Sequence, residues 1–199
     1  IVLSDIFCRQ TSAVILVTKG LRQIFSLGHA LEVAMSWLDP TAEDLASRMI
    51  GDLSGIDEDG KQMALGTFGM LNVELLGENG EELQLKEGMP ATLTFPVPAE
   101  ILSEAPPTIP LWYFDEVNGY WKEEGVATLQ GNMYVGNVAH FSFWNCDIPA
   151  EAITLCVTAT DDENNILSNL YVTITSATFG TTGGYINDSG EVCGFVPSG

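Results

Sequence analysis

Cationic side chains are scarce: 7 Lys and Arg stand against 27 Asp and Glu in 199 residues, a formal charge of −20. Phosphate backbones and anionic headgroups are held by clustered Lys and Arg, so this composition argues against nucleic acid and anionic membrane surfaces as partners. Histidine is scarcer still. With only His29 and His140 present, a metal centre built from several imidazoles is excluded. No apolar run approaches the roughly 18 residues of a membrane span, and the strongest, at 13–17, is far shorter, so no membrane insertion is expected. The four cysteines, Cys8, Cys146, Cys156 and Cys193, show no C-x-x-C spacing. That disfavours zinc and thioredoxin-type chemistry and leaves disulfides or buried thiols, with connectivity open. A basic leader and an A-x-A-like cleavage site are also missing, and the chain starts at Ile1, as expected of a processed or truncated product. Cys8 follows Ile6-Phe7, and the bulky Phe makes it a poor lipid-attachment cysteine.

What is present is apolar and turn-rich. Charged residues total 17% against 46% hydrophobic, so the charge comes from missing cations and the chain is no acidic disordered segment. An acidic field suits solubility, cationic partners or divalent ions, and says nothing by itself about fold. From about residue 65 the rhythm is strand, turn, strand. Leu71, Val73 and Leu75 alternate with Asn72 and Glu74, the period of a half-buried strand. Glu78-Asn79-Gly80 turns the chain before Leu83 and Leu85. Residues 91–95 form another strand, ended by Pro96 and Pro98. Asn118-Gly119 is the strongest hairpin signal, joining Trp112-Tyr113-Phe114-Asp115 to Tyr120-Trp121-Lys122. Earlier, 13–18 reads as a strand, 31–37 as strand or helix, 40–44 as the opening of a short helix, and Asp57-Glu58-Asp59-Gly60 as a tight turn.

Composition shifts near Asp147-Ile148-Pro149. Beyond it come strands at 153–158, 170–175 and 192–196, too few residues for an independent sandwich. The predicted fold class is all-β: a β-sandwich domain over 1–148, with 1–50 poorly defined, then an incomplete second β domain over 149–199.

Three segments carry a resemblance: Leu111-Trp112-Tyr113-Phe114-Asp115-Glu116, Gly119-Tyr120-Trp121-Lys122-Glu123-Glu124-Gly125, and Val138-Ala139-His140-Phe141-Ser142-Phe143-Trp144-Asn145. In this order they resemble the ZU-five-like β-sandwich of ankyrins and netrin receptors and its cartilage intermediate layer protein-like extracellular relatives; bacterial envelope proteins carry similar stretches. The likeness covers about 25–147. The part from Ile153 onward, with Asp188-Ser189-Gly190 before a strand and Phe195-Val196-Pro197 at its close, is similar to the transthyretin-like, carboxypeptidase-regulatory-like module. Such a tandem implies secreted or surface-attached scaffolding.

His140-Phe141-Ser142 is the sharpest chemical candidate. Autoproteolytic domains of the nucleoporin and death-domain kinds are cut within a similar His-Phe-Ser. The resemblance implies Ser142 as nucleophile on the Phe141 carbonyl carbon, His140 as base, and water hydrolysing the ester. Strain at the scissile peptide and donors for the oxyanion are also required. The plainer expectation is a core strand with His140 and Ser142 on one face and Phe141 and Phe143 on the other. Trp112, Tyr113, Phe114, Tyr120, Trp121, Phe143 and Trp144 form either a core or a carbohydrate or peptide platform; burial of Trp112 and Trp121 separates the two. Asp57 and Asp59 are calcium candidates set against a solvated hairpin turn, as is the acidic run at 161–163. Asp115-Glu116 and Glu123-Glu124 offer a weak glycosidase-like pair across a hairpin. A lone His29 reads as structural.

The function expected is a non-catalytic extracellular or cell-envelope interaction module, without cofactor, meeting a protein or glycan partner. Self-cleavage between Phe141 and Ser142 is the alternative, and carbohydrate binding through Trp112 or Trp121 a weaker one.

Overall fold

The computed structural model describes residues 32–77, 79–176 and 179–198. The predicted strand at 13–18, His29 and Cys8 lie outside the described residues. The chain is all-β and of sandwich type. The segment 31–37 resolves as a strand, β1 (Glu32–Leu38), antiparallel to the long β3 (Gln62–Leu76). Its pattern has the two-residue period of β3, so each can place one face inward. The acidic run at 40–44 leads into a single helical turn, α1 (Leu45–Arg48). It starts late because Asp39 first ties down Thr41, accepting from its backbone N–H at 2.9 Å and its hydroxyl at 2.7 Å.

Strands β2 (Ser54–Ile56), β3, β6 (Thr108–Asp115), β7 (Tyr120–Gln130) and β9 (Phe143–Thr158) pair around a closed ring. Every step of it is antiparallel except the short parallel junction of β2 with β7. The β6–β7 hairpin turns at Asn118-Gly119 as predicted. Gly119 sits at φ 77° with its N–H on the Asp115 carbonyl at 2.7 Å, a conformation that favours glycine. Strand β7 also pairs with β8 (Met133–Val138), and β8 with β5 (Ala91–Pro96), which gives the second layer. β4 (Glu82–Leu83) adds briefly to the end of β3.

Alternation, shifted in β3 by a bulge between Thr67 and Met70, lets β3, β6 and β9 serve two cores at once. One face sends Leu71, Val73, Ile109, Leu111, Trp144 and Cys146 against Leu93, Phe95, Tyr134 and Val138 of β5 and β8. The opposite face sends Leu65, Met70, Trp112 and Phe114 against Leu38, Leu53 and Trp121. Each full burial of such a side chain contributes roughly 1.5–3 kcal/mol.

No break marks the compositional shift at 147–149, where β9 runs on for 16 residues in all. Its second half pairs with β12 (Glu191–Pro197), and a hairpin of β10 (Tyr171–Ser176) and β11 (Gly180–Tyr185) completes the described chain.

Candidate functional site

Between β8 and β9 the chain leaves the sheet at residues 139–142, and this loop holds His140-Phe141-Ser142. The expectation of a strand here, with Phe141 and Phe143 on one face, is corrected by the geometry. Phe141, 3% exposed, enters the larger core, whereas Phe143 packs against the smaller one. Outside a strand, alternation no longer fixes the side-chain faces.

The loop peptide is held by Gln84, a residue the sequence reading passed over. Its side-chain Oε1 accepts from the Phe141 N–H at 2.8 Å, and its Nε2 donates to the Phe141 carbonyl at 2.9 Å. This satisfies both polar groups of a peptide that has left the sheet. His140 stands edge-on to Tyr113, with centroids 4.8 Å apart, and tilts over Trp144 at 5.0 Å. Its Nε2 lies 3.6 Å from Glu124 Oε2. The Ser142 hydroxyl donates to the Phe114 carbonyl at 3.3 Å, and Trp144 Nε1 donates to the His140 carbonyl at 3.2 Å.

The structure thus brings the three motif residues into one loop and gives each a different partner. Attack on the Phe141 carbonyl needs a base on the Ser142 hydroxyl, and that proton points at a backbone oxygen instead. The Gln84 amide on the Phe141 oxygen occupies the place of an oxyanion donor, but ordinary peptide satisfaction requires the same contact. The loop borders a groove of about 710 Å³ whose lining includes Glu74, Glu82, Asp115 and Glu116.

The other candidates are dispersed. Trp112, Trp121 and Trp144 are 0% exposed, so their rings cannot stack on a sugar. Their indole N–H groups are satisfied inside, Trp112 on the Asp147 carbonyl at 3.2 Å and Trp121 on that of Asp52 at 2.9 Å. Asp57 spends one carboxylate oxygen on its own turn, accepting from Asp59 N at 3.1 Å and Lys61 N at 2.7 Å. Asp161 does the same for Glu163 and Asn165. Asp115 is engaged by the Asn118 side chain at 2.8 Å, which holds its carboxyl below the usual aspartate range. In the β6–β7 register Asp115 faces Tyr120 and Glu123 faces Trp112, so the hairpin acids do not oppose each other. Burial pushes the Glu123 carboxyl up, while the Glu58 N–H, donating to it at 3.4 Å, works the other way.

Both cysteine readings occur in the one chain. Cys156 and Cys193, cross-strand neighbours on β9 and β12, form a disulfide, and Cys146 is a buried thiol that burial pushes well above its ordinary value.

A second polar cluster, also passed over, lies inside the ring. Asn145 and Asp147 on β9 are 0% exposed. The Thr67 hydroxyl meets Asn145 Oδ1 at 2.7 Å, and Asn145 Nδ2 donates to Asp147 Oδ2 at 2.5 Å. Asp147 Oδ1 is buried with no hydrogen-bond partner, and burial holds this carboxyl well above the ordinary aspartate value. The signal was in the sequence: two polar residues at alternate positions between Trp144, Cys146 and Ile148 must share one inward face.

Comparison with protein-family models, curated protein sequences and solved structures yields no match.

Proposed function

We propose that the chain is a non-catalytic interaction module of a secreted or envelope-attached protein, ZU-five-like in its first part and transthyretin-like in its second, with a protein partner. The observation that carries this reading is the Cys156–Cys193 bridge on a sheet that leaves Ile153 and Leu155 at 50% and 38% exposure. Disulfides persist in oxidising compartments, and contiguous exposed apolar surface is typical of a contact face. Ile166, Leu167, Leu170, Tyr171 and Tyr185 extend the exposed apolar character over the same part of the chain. The separate engagements of His140 and Ser142 support the absence of catalysis, and the buried indoles support a protein rather than a sugar.

Two measurements on the purified chain test the reading. On a denaturing gel one intact band is expected; fragments parting at Phe141 and Ser142 would replace it with self-cleavage. Thiol alkylation without reductant is expected to spare Cys156 and Cys193, and labelling of both would remove the argument for an oxidising compartment.

A further inference from the structure

We propose that Thr67 and Asn145 become joined as an intramolecular ester, a covalent tie between β3 and β9. Three features of the Thr67, Asn145 and Asp147 cluster converge on this modification.

The first is approach. Strand β3 is bulged here: Thr67 pairs with Asp147 and Met70 with Asn145, so Phe68 and Gly69 together oppose Cys146. A bulge re-aims the side chains beside it. Gly69 adopts φ 141°, and a Cβ there would lie 3.2 Å from the Trp37 indole nitrogen, so glycine suits this kink. The result is the 2.7 Å contact between Thr67 Oγ1 and Asn145 Oδ1. With a C=O bond of about 1.23 Å, the carboxamide carbon lies no farther than about 3.9 Å from the hydroxyl oxygen, close to attack distance. The Gly69 N–H donates to the same hydroxyl oxygen at 3.1 Å and fixes its position beside the carboxamide.

The second is a proton relay. Asp147 has one oxygen on the Asn145 nitrogen and the other without a partner. A neutral carboxyl accepts a proton at one oxygen while delivering one from the other. Burial raises its pKa and so favours the neutral form, against the smaller opposing influence of the Thr67 hydroxyl. The third is dryness. Asn145 and Asp147 are 0% exposed, with Trp112 paired to Asn145 across the strands and donating to the Asp147 backbone, so the carboxamide and its acid–base partner are shielded from bulk water while Thr67 at the rim is half-buried.

The step balances without any added reagent. Thr67 Oγ1 bonds to Asn145 Cγ as the hydroxyl proton, turned about the Cβ–Oγ1 bond, passes to Asp147. The other Asp147 oxygen gives its proton to Asn145 Nδ2. The tetrahedral centre collapses, the Cγ–Nδ2 bond breaks, ammonia leaves, and Asp147 ends neutral as it began. Attack on a carboxamide carbon by a hydroxyl with an adjacent acid–base group is ordinary acyl transfer.

Mass spectrometry of the full chain, denatured and reduced, tests it. The expected mass is that of the sequence less one ammonia. Trypsin, cutting after Lys61, Lys86 and Lys122, then yields peptide 62–86 joined to peptide 123–199. Thr67→Ser keeps the joined pair, whereas Thr67→Ala restores the full mass and separate peptides, and Asp147→Asn slows or abolishes joining. An unshifted wild-type mass overturns the proposal. So does an ammonia loss with separate peptides, which signals a succinimide at Asn145-Cys146. The wild-type digest decides by itself, whether or not a variant folds.

Discussion

The two halves of β9 are one strand with two kinds of support. From Phe143 to Asp147 it is the middle of a packed body, paired with β3 on one side and β6 on the other, with Trp144, Asn145, Cys146 and Asp147 all buried. From Ile153 to Thr158 it is a largely exposed ribbon paired with β12 and pinned by a disulfide between directly opposite residues. Where two apolar faces can be covered, burial supplies the stability; where they are not, a covalent link takes over. The same contrast separates possible function. The Trp144 ring in the first half is fully buried, whereas Ile153 and Leu155 in the second half are exposed.

This comparison can be broken from its strong side. Trp144→Ala removes a fully buried ring from the larger core and is expected to destabilise by about 3–5 kcal/mol in urea unfolding. A loss under 1 kcal/mol would mean that the packed half is not packed. Replacing Cys156 and Cys193 together by serine is expected to cost about 2–4 kcal/mol, seen as a lower denaturation midpoint for the C-terminal part. Asp147 sharpens the account through pH. Its folded value is raised above the ordinary 3.8, so its contribution is complete below that value and is lost as pH rises toward the folded value. Thermal stability is therefore expected to fall with rising pH over this window, and Asp147→Asn to flatten the slope. A slope unchanged by the substitution would show that the carboxyl is not the group responsible. Gln84→Ala leaves the Phe141 peptide without both partners and is expected to cost about 1–3 kcal/mol. The smallest effect belongs to the exposed half. Leu155→Thr is expected to change stability by no more than about 0.5 kcal/mol while lowering the binding of an apolar dye.

Most of the packed half was legible because it obeys local rules. Leu71, Val73 and Leu75 alternate and are buried, the Asn118-Gly119 turn lies where its residues demand, and Trp112 and Phe114 share a face. The loop at 139–142 was not legible, since its departure from the sheet depends on Gln84, more than fifty positions earlier, and no local signal links the two. The disulfide pairing was equally hidden: only the β9–β12 register sets Cys156 against Cys193 and leaves Cys146 facing the core. The trio of Thr67, Asn145 and Asp147 sits between these cases. Asn145 and Asp147 were visible as polar residues in an apolar strand, but Thr67 reaches them only through a bulge that alternation does not foretell.

Hydrogen–deuterium exchange followed along β9, with and without reductant, tests the contrast most directly. The account predicts slow exchange at residues 143–147 under both conditions, and exchange at 153–158 that accelerates sharply once the Cys156–Cys193 bridge is opened. Equal protection of both halves, unchanged by reductant, would contradict it.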